Sequence, residues 1–305
     1  MIATPTHATH PAFEDLDRIA ATLERPLFFI ASCSKSGSTW LQHLLDAHPQ
    51  AVCHGESFFP VNLRPLLRGL ARQYNAMHKC NHPRNNHPRS GDLNEADLAT
   101  LYRHAVALVM GRWAEGEPDP SAIRALGEKT PDNAPHTAEL LSDFPTGRVI
   151  HLIRDPRDVC VSGYFHNLRE KGDAFKKNFP TLASYIPLMA AQKWKPYIEQ
   201  ARAGGATASD RFYELRYEAL HTDPIETLAG VLRFLGLDAD DTTVQACLES
   251  ASFGKLSGGR DRGDEDRGSF YRKGQIGDWQ QHFDDECIEV FNACVGAFAV
   301  SVGYA

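Results

Sequence analysis

Leu27–Ser32, reading LFFIAS, is a continuous apolar run, as expected of a strand buried on both faces. Four weaker apolar runs, Ala51–His54, Ala125–Lys129, Val149–Arg154 and Phe212–Tyr217, are further candidate strands. Between them apolar residues recur at helical spacing. That spacing predicts helices over Thr39–Ala47, Leu93–Trp113, Ala134–Phe144, Arg157–Arg169 and Ile225–Leu235. Strands that alternate with helices build parallel βαβ units, because each crossover helix packs back on the sheet. The expected fold class is α/β: a single domain with a central parallel β-sheet flanked by helices. No internal repeat is visible. Two stretches interrupt the pattern. Lys79–Gly91, rich in Asn, His, Pro and Arg, predicts a surface loop, and Ser257–Ser269 (SGGRDRGDEDRGS) predicts a mobile excursion. Residues 1–25 read as an N-terminal extension and 26–305 as the domain proper.

Composition narrows the class without choosing a function. A chain of 305 residues with 42% hydrophobic and 23% charged residues can bury a sizeable core. Its formal net charge of −7 argues against a nucleic-acid partner, which would call for a basic face. An anionic ligand remains open, since a few local Lys and Arg suffice to hold one. The seven cysteines (Cys33, Cys53, Cys80, Cys160, Cys247, Cys287, Cys294) are scattered, odd in number and without CxxC spacing. That argues against a zinc ribbon or disulfide scaffold and fits reduced thiols. Met1–Glu14 shows no basic region followed by an apolar run, and nothing approaches the ~18 apolar residues of a membrane span. The chain is expected to be soluble and cytoplasmic.

The first run leads directly into Ser34-Lys35-Ser36-Gly37-Ser38-Thr39-Trp40 and then a helical pattern. A strand, a small-residue turn and a helix N-terminus gather backbone N–H groups where the helix dipole favours negative charge. Lys35 adds a full charge; Ser38 and Thr39 add hydroxyls. By itself the segment also admits the reading of a tight turn with a helix cap. The order of residues is informative: a triphosphatase loop, GxxxxGK[ST], places Lys after the last Gly, whereas Lys35 precedes Gly37. The segment resembles the 5′-phosphosulfate loop, PKSGTTW-like, of sulfotransferases that use 3′-phosphoadenosine 5′-phosphosulfate (PAPS). The resemblance implies a P-loop-kinase-like sulfotransferase fold over residues 26–305. It also implies that Lys35, Ser36, Gly37, Ser38, Thr39 and Trp40 hold the phosphosulfate, with Lys35 near the bridging oxygen that leaves. Ser34 stands where that family often has Pro.

A second string, IRDPRDVCVSGYF, puts Arg154 at the carboxyl end of a strand, where open α/β sheets bind ligands, and Ser162 on the next helix. The planar guanidinium suits a phosphate monoester, although Arg154 alone could merely pair with Asp158. The string is similar to the family's 3′-phosphate motif, which implies that Arg154 and Ser162 bind that group. Arg272-Lys273-Gly274, within RKGQIGDW, resembles the family's RKGxxGDW segment and is implied to complete the 3′-phosphate site. Leu215-Arg216-Tyr217-Glu218 resembles LxYE, whose Tyr contacts the nucleotide. Ala251-Ser252-Phe253 resembles TSF near the adenine, with Ala251 lacking the hydroxyl. PAPS is the implied co-substrate, and no metal is expected.

Transfer requires a base within hydrogen-bond reach of the acceptor hydroxyl. Cytosolic members use a His in a KTHLP-like segment; here Pro131 replaces it in Glu128-Lys129-Thr130-Pro131-Asp132. The run from Lys35 through LLDAHPQAVCHGE is similar to tyrosylprotein sulfotransferases, which makes Glu56 the first candidate base. His54 is the runner-up, and Lys129 is assigned to the transferring sulfuryl or to Glu56. Two other readings are a small-molecule P-loop kinase, which needs an acidic metal ligand at a strand end, and a non-catalytic module that binds PAPS or its product adenosine 3′,5′-bisphosphate (PAP). The acceptor class stays open between small molecule, carbohydrate and protein tyrosine.

Overall fold

The structure is a computed structural model that describes residues 11–81 and 91–305. Five parallel strands, β1 (Leu27–Ser32), β2 (Ala51–Gly55), β3 (Ala125–Lys129), β4 (Arg148–Ile153) and β5 (Phe212–Arg216), form one sheet in the order β2-β3-β1-β4-β5. The chain leaves β1 toward one edge and β4 toward the other. Their carboxyl ends therefore flank the point where strand order reverses, which is where ligands bind in open α/β sheets.

Alternation along β1 divides the core. Phe28 and Ile30 join Ile150, Leu152 and Leu215 beneath α2 (after α1, Pro11–Glu24, the helix Ser38–Asp46), with Leu41, Leu44 and Leu45 in contact. Leu27, Phe29 and Ala31 face the other way, toward Tyr102, Val106 and Met110 of α4 (after α3, Arg64–Asn81, the helix Glu95–Glu115). Both faces are covered, which explains why LFFIAS is continuously apolar: all six residues are buried. A third cluster, around Trp194, Tyr185, Phe291 and Tyr304, joins α6 (after α5, Thr137–Asp143, the helix Pro156–Asn178) to the C-terminal residues. Trp194 is fully buried, and its indole Nε1 donates to the Arg154 carbonyl at 2.9 Å. Side-chain burial of this kind contributes roughly 1.5–3 kcal/mol, and here it also fixes the backbone at the end of β4.

The element boundaries differ from the sequence reading in physical ways. The helix expected over Ala134–Phe144 starts as a 3₁₀ turn, Pro131–His136, before α5, because Pro131 and Pro135 remove backbone donors. The helix expected over Arg157–Arg169 continues as α6 to Asn178, across a kink at Gly172. The loop expected over Lys79–Gly91 is helical at its start, where α3 runs to Asn81; residues 82–90 lie outside the described residues. Ser257–Ser269 is tied to its own continuation. The Gly263 and Asp266 amides donate to the carbonyls of Lys273 and Arg272, and the Arg260 guanidinium donates to the carbonyls of Asp264, Tyr271 and Arg272. The glycines that read as looseness form a cross-braced loop. At the other end, α1 packs on α4 and buries Ile19 and Thr22. Among the described residues no helix is long and apolar enough to cross a membrane.

Candidate active site

The carboxyl ends of β1 and β4 open into a cleft of about 450 Å³, well within the range of small-ligand pockets. The loop after β1 forms its floor. Lys35 and Gly37 both take positive φ, 70° and 94°, which turns the chain tightly enough to present its amides at the start of α2. Gly37 is required twice over: its φ suits glycine, and a Cβ there would stand 2.4 Å from the Tyr217 ring. Burial pushes the Lys35 ammonium down to about 8. Arg169 and Lys129 push the same way, and Glu56 opposes them.

Arg154, 9% exposed, rises from the end of β4. Its Nη1 donates to the Lys35 carbonyl at 3.3 Å and its Nη2 to the Gln275 carbonyl at 3.2 Å, while the guanidinium lies 4.3 Å from the Tyr217 ring centroid. The contact with Asp158 exists too, at 3.4 Å, so the ion pair expected from the sequence is formed while the guanidinium also lines the cleft. Asp158 does more than balance that charge. Buried on α6, it accepts from the amides of Gly277 and Trp279 at 2.8 and 2.9 Å, and so fastens the C-terminal segment over the cleft. Glu218, next to Tyr217, accepts from the Asp155 amide and holds the start of α6 to the end of β5.

Arg272, Lys273 and Gly274 line the cleft, as do Ser162, Tyr217 and Phe253. Both cations are paired: Arg272 with Asp278 and with Glu265, Lys273 with Asp278 at 2.6 Å. Burial works to raise the Asp278 carboxyl, but hydrogen bonds from Arg272 and Lys273 outweigh it and hold the group below the usual carboxylate range. Gly274, at φ 63°, lies against Phe253, whose ring a Cβ would meet at 2.3 Å. Trp40 is set by its Nε1 bond to the Ala251 carbonyl at 2.9 Å and stands edge-on to Tyr217. Ser38 and Thr39 also line the cleft. Ser36 and Ser252 do not. Ser36 is fully buried beneath the loop, and Ser252 precedes the short helix that carries Phe253.

Glu56 lines the cleft from the end of β2 in a left-handed conformation, φ 61°, an uncommon state for a residue with a side chain. The neighbouring strand holds it there. The Glu56 amide donates to the Lys129 carbonyl at 2.7 Å, the Ser57 amide to Glu128 at 2.9 Å and the Phe58 amide to the Thr130 hydroxyl at 3.3 Å. Lys129 is buried, and its Nζ donates to Glu56 Oε1 at 2.7 Å, whereas the Glu56 side chain is 52% exposed. Lys129 itself does not line the cleft; it reaches Glu56 from below. His54 is not brought in. It is exposed outside the cleft and stacks on Trp113 at 4.8 Å, which removes the geometric basis for its candidacy as base.

The cleft also contains residues that no motif announced. His221 and Arg262 meet at 2.6 Å, with the Arg262 guanidinium 5.0 Å from the Trp40 ring; burial, then Arg262 and Arg154, push His221 down to about 3. On the opposite side lie His166, Asn167, Tyr185, Met189, Lys193 and Phe270, the last with its ring 4.6 Å from Lys35 Nζ. The spacing of Tyr185, Met189 and Lys193 was a usable signal. Arg262, inside a Gly-rich charged run, gave none.

A model described as the sulfotransferase family matches residues 26–241. The chain is 24% identical over 289 residues to cytosolic sulfotransferase 17 of Arabidopsis thaliana, covering 86% of this chain and 70% of that one. It is 28% identical over 153 residues to sulfotransferase 2A1 of Homo sapiens, covering 45% of this chain and 50% of that protein. Against most of the curated relatives it matches, the chain spans about half of their length. Mouse sulfotransferase SULT7A1, in a crystal structure complexed with PAP, superimposes with a TM-score of 0.53 at 16% identity, over 94% of this chain and 90% of that chain. At that identity the likeness concerns the fold. The family model covers well over half of the residues, and the chain belongs to the sulfotransferase family.

Proposed function

We propose that this chain transfers the sulfuryl group of PAPS to an acceptor hydroxyl and releases PAP, with Glu56 as the base. One observation carries the reading: Lys35, Glu56, Arg154, Ser162, Tyr217, Arg272 and Lys273 come from six separate segments and line a single cleft. The site also fits a doubly phosphorylated adenosine in detail. One buried group of the cleft, Arg154 Nε, has no hydrogen-bond partner among the described residues, and an unpaired buried donor of this kind is costly unless a ligand satisfies it. The loop amides and Lys35 serve the 5′-phosphosulfate. Arg154, Ser162, Arg272, Lys273 and the Gly274 amide serve the 3′-phosphate, and Trp40, Tyr217 and Phe253 supply flat surfaces for the base.

The bonds balance as follows. The acceptor oxygen forms a new bond to sulfur while its proton passes to Glu56. The bond from sulfur to the bridging phosphate oxygen breaks, and Lys35 with the loop amides meets the charge that grows there. Lys129 occupies Oε1 of Glu56, which leaves Oε2 for the hydroxyl and keeps the carboxylate aimed at the cleft. Lys129 is thus a positioning residue in this scheme.

The test is transfer from labelled PAPS to a panel of hydroxyl acceptors, run with Glu56→Gln. Loss of a general base lowers the rate by about 10²–10⁴-fold, and PAP affinity should stay at the wild-type level. Transfer by Glu56→Gln at the wild-type rate would remove Glu56 from the role.

A further inference from the structure

The acceptor half of the cleft carries a cation that the cofactor does not need. Tyr185, Met189 and Lys193 succeed one another at intervals of four along the continuous stretch formed by helix Leu182–Ile186 and the π-helical Pro187–Trp194, and all three line the cleft. Residues four apart share one face of a helical turn, so they form one wall: a phenol, a thioether, then an ammonium. Tyr185 and Met189 are buried, each 3% exposed, while Lys193 is exposed. Of the other cleft cations, Lys35 lies against the Phe270 ring and is assigned to the phosphosulfate, and the rest are engaged. Arg154 meets Asp158, Arg272 and Lys273 share Asp278, and Arg262 meets His221. Lys193 has neither an ion pair nor a hydrogen bond among the described residues.

Asp132, which with Lys193 acts on the buried Cys33 thiol, already accepts from the Tyr197 hydroxyl at 2.5 Å. Glu56 is the one acidic residue that lines the cleft, and Lys129 already pairs with it. His166, which also lines the cleft, is pushed down to about 4 by burial and then by Lys35 and Arg169, so it is neutral at physiological pH in a locally positive field. An apolar wall that ends in an unpaired ammonium suits a ligand with an apolar body and an anionic end.

We propose that Lys193 determines acceptor specificity by pairing with an anionic group of the acceptor, whose class is a hydroxylated organic acid. The hydroxyl lies at Glu56, the body runs along Met189 and Tyr185, and the carboxylate ends at Lys193. This rests on the transferase reading above. It goes further by naming the substrate class and the residue that selects it.

Three phenols of one shape but different charge test it: 3-(4-hydroxyphenyl)propionate, its methyl ester and tyramine. Each is assayed by labelled transfer from PAPS, with PAP binding measured in parallel. A charge-assisted contact is worth about tenfold or more in binding, so the wild-type KM for the acid should lie at least about tenfold below that of the ester. Lys193→Met should bring the acid-to-ester ratio to about one, and Lys193→Glu should invert the preference in favour of tyramine. A wild-type ratio near one, or an unchanged ratio in Lys193→Met, overturns the proposal, since a purely structural role would move both substrates together. PAP bound tightly with no acceptor transferred also overturns it while leaving the cofactor half intact. Failure to bind PAP at all would instead refute the transferase reading.

Discussion

Lys35 makes the free cleft sensitive to alkaline pH, and the sign of the effect follows from its burial. An exposed lysine titrates near 10.5; burial, helped by Arg169 and Lys129, brings this one down to about 8. The ammonium is the form that attracts an anion, so its contribution is nearly full at pH 7 and is lost as pH rises through about 8. At pH 7 roughly nine-tenths of the molecules carry the charge, and at pH 9 roughly one-tenth do. The 5′-phosphate of PAP has already lost its second proton by pH 7, so its own titration does not contribute. Other cleft groups stay out of the window: His166 and His221 sit at about 4 and 3, and burial raises Tyr185 and Tyr217. The association constant for PAP should therefore fall by about tenfold between pH 7 and pH 9. Calorimetric titration at pH 7, 8 and 9 measures it directly. Lys35→Met should bind more weakly at pH 7 and show a flat profile. A wild-type profile that is level across this range, or a Lys35→Met profile with the wild-type slope, would refute the assignment of Lys35 to the anion.

Three further outcomes follow from the geometry. Gly37→Ala places a Cβ against the Tyr217 ring in a backbone conformation that favours glycine; PAP affinity should fall at least about tenfold, and retention of wild-type affinity by calorimetry would show that the loop has more freedom than its contacts imply. Asp158→Ala leaves the buried Arg154 charge and two backbone amides without their acceptor, a change that costs about 3–5 kcal/mol; urea denaturation should find the loss, and a value under about 1 kcal/mol would contradict it. Burial would raise the Glu214 carboxyl, but hydrogen bonds from His151 and Arg202 outweigh burial and hold it at about 2. Its folded-state pKa is depressed, so the stabilisation is full above the ordinary value of 4.5 and disappears as pH falls toward 2. Glu214→Gln should lose roughly 3 kcal/mol at pH 7 and much less near pH 3, and a deficit that ignores pH would count against the account.

The sheet was legible because burial on both faces leaves a simple mark. All five strands lie where the apolar runs placed them, with ends displaced by a residue or so, since the last residue of a strand is decided by pairing rather than by side-chain type. Helices were less legible where their apolar faces do not meet the core. α3 went unrecognised, and its exposed Leu66 and Leu70, 71% and 58% accessible, show why: the buried face is carried by Leu67 and Ala71 beside Arg64 and Asn75, so hydrophobicity and burial are out of phase. The stretch Leu182–Gly205 was missed for a related reason. Its turns change from α to π and back, and no single period fits a run whose pitch varies.

The cations and the amide-rich turn that line the cleft could be read from residue type, because anion chemistry narrows the choice to Lys, Arg and amide-rich turns at strand ends. The direction of individual side chains could not. His54 and Glu56 stand two apart at the end of β2, and simple strand alternation would aim both to the same side. Pairing in β2 stops at Gly55, however, and Glu56 turns into the left-handed region, held by the amides of Glu56, Ser57 and Phe58 donating to the Lys129 carbonyl, the Glu128 carboxylate and the Thr130 hydroxyl. The turn sends Glu56 into the cleft and leaves His54 on Trp113. What separates the two side chains is thus a backbone rotation held by bonds to residues more than seventy positions later in sequence. The same strand supplies Lys129, whose ammonium would itself be a buried, uncompensated charge without Glu56. The aim proposed for Glu56 and the burial of that lysine are in this way one arrangement. Lys129→Met should therefore lower turnover through a misdirected Glu56 while PAP affinity is kept, and a variant with unchanged turnover would separate the two.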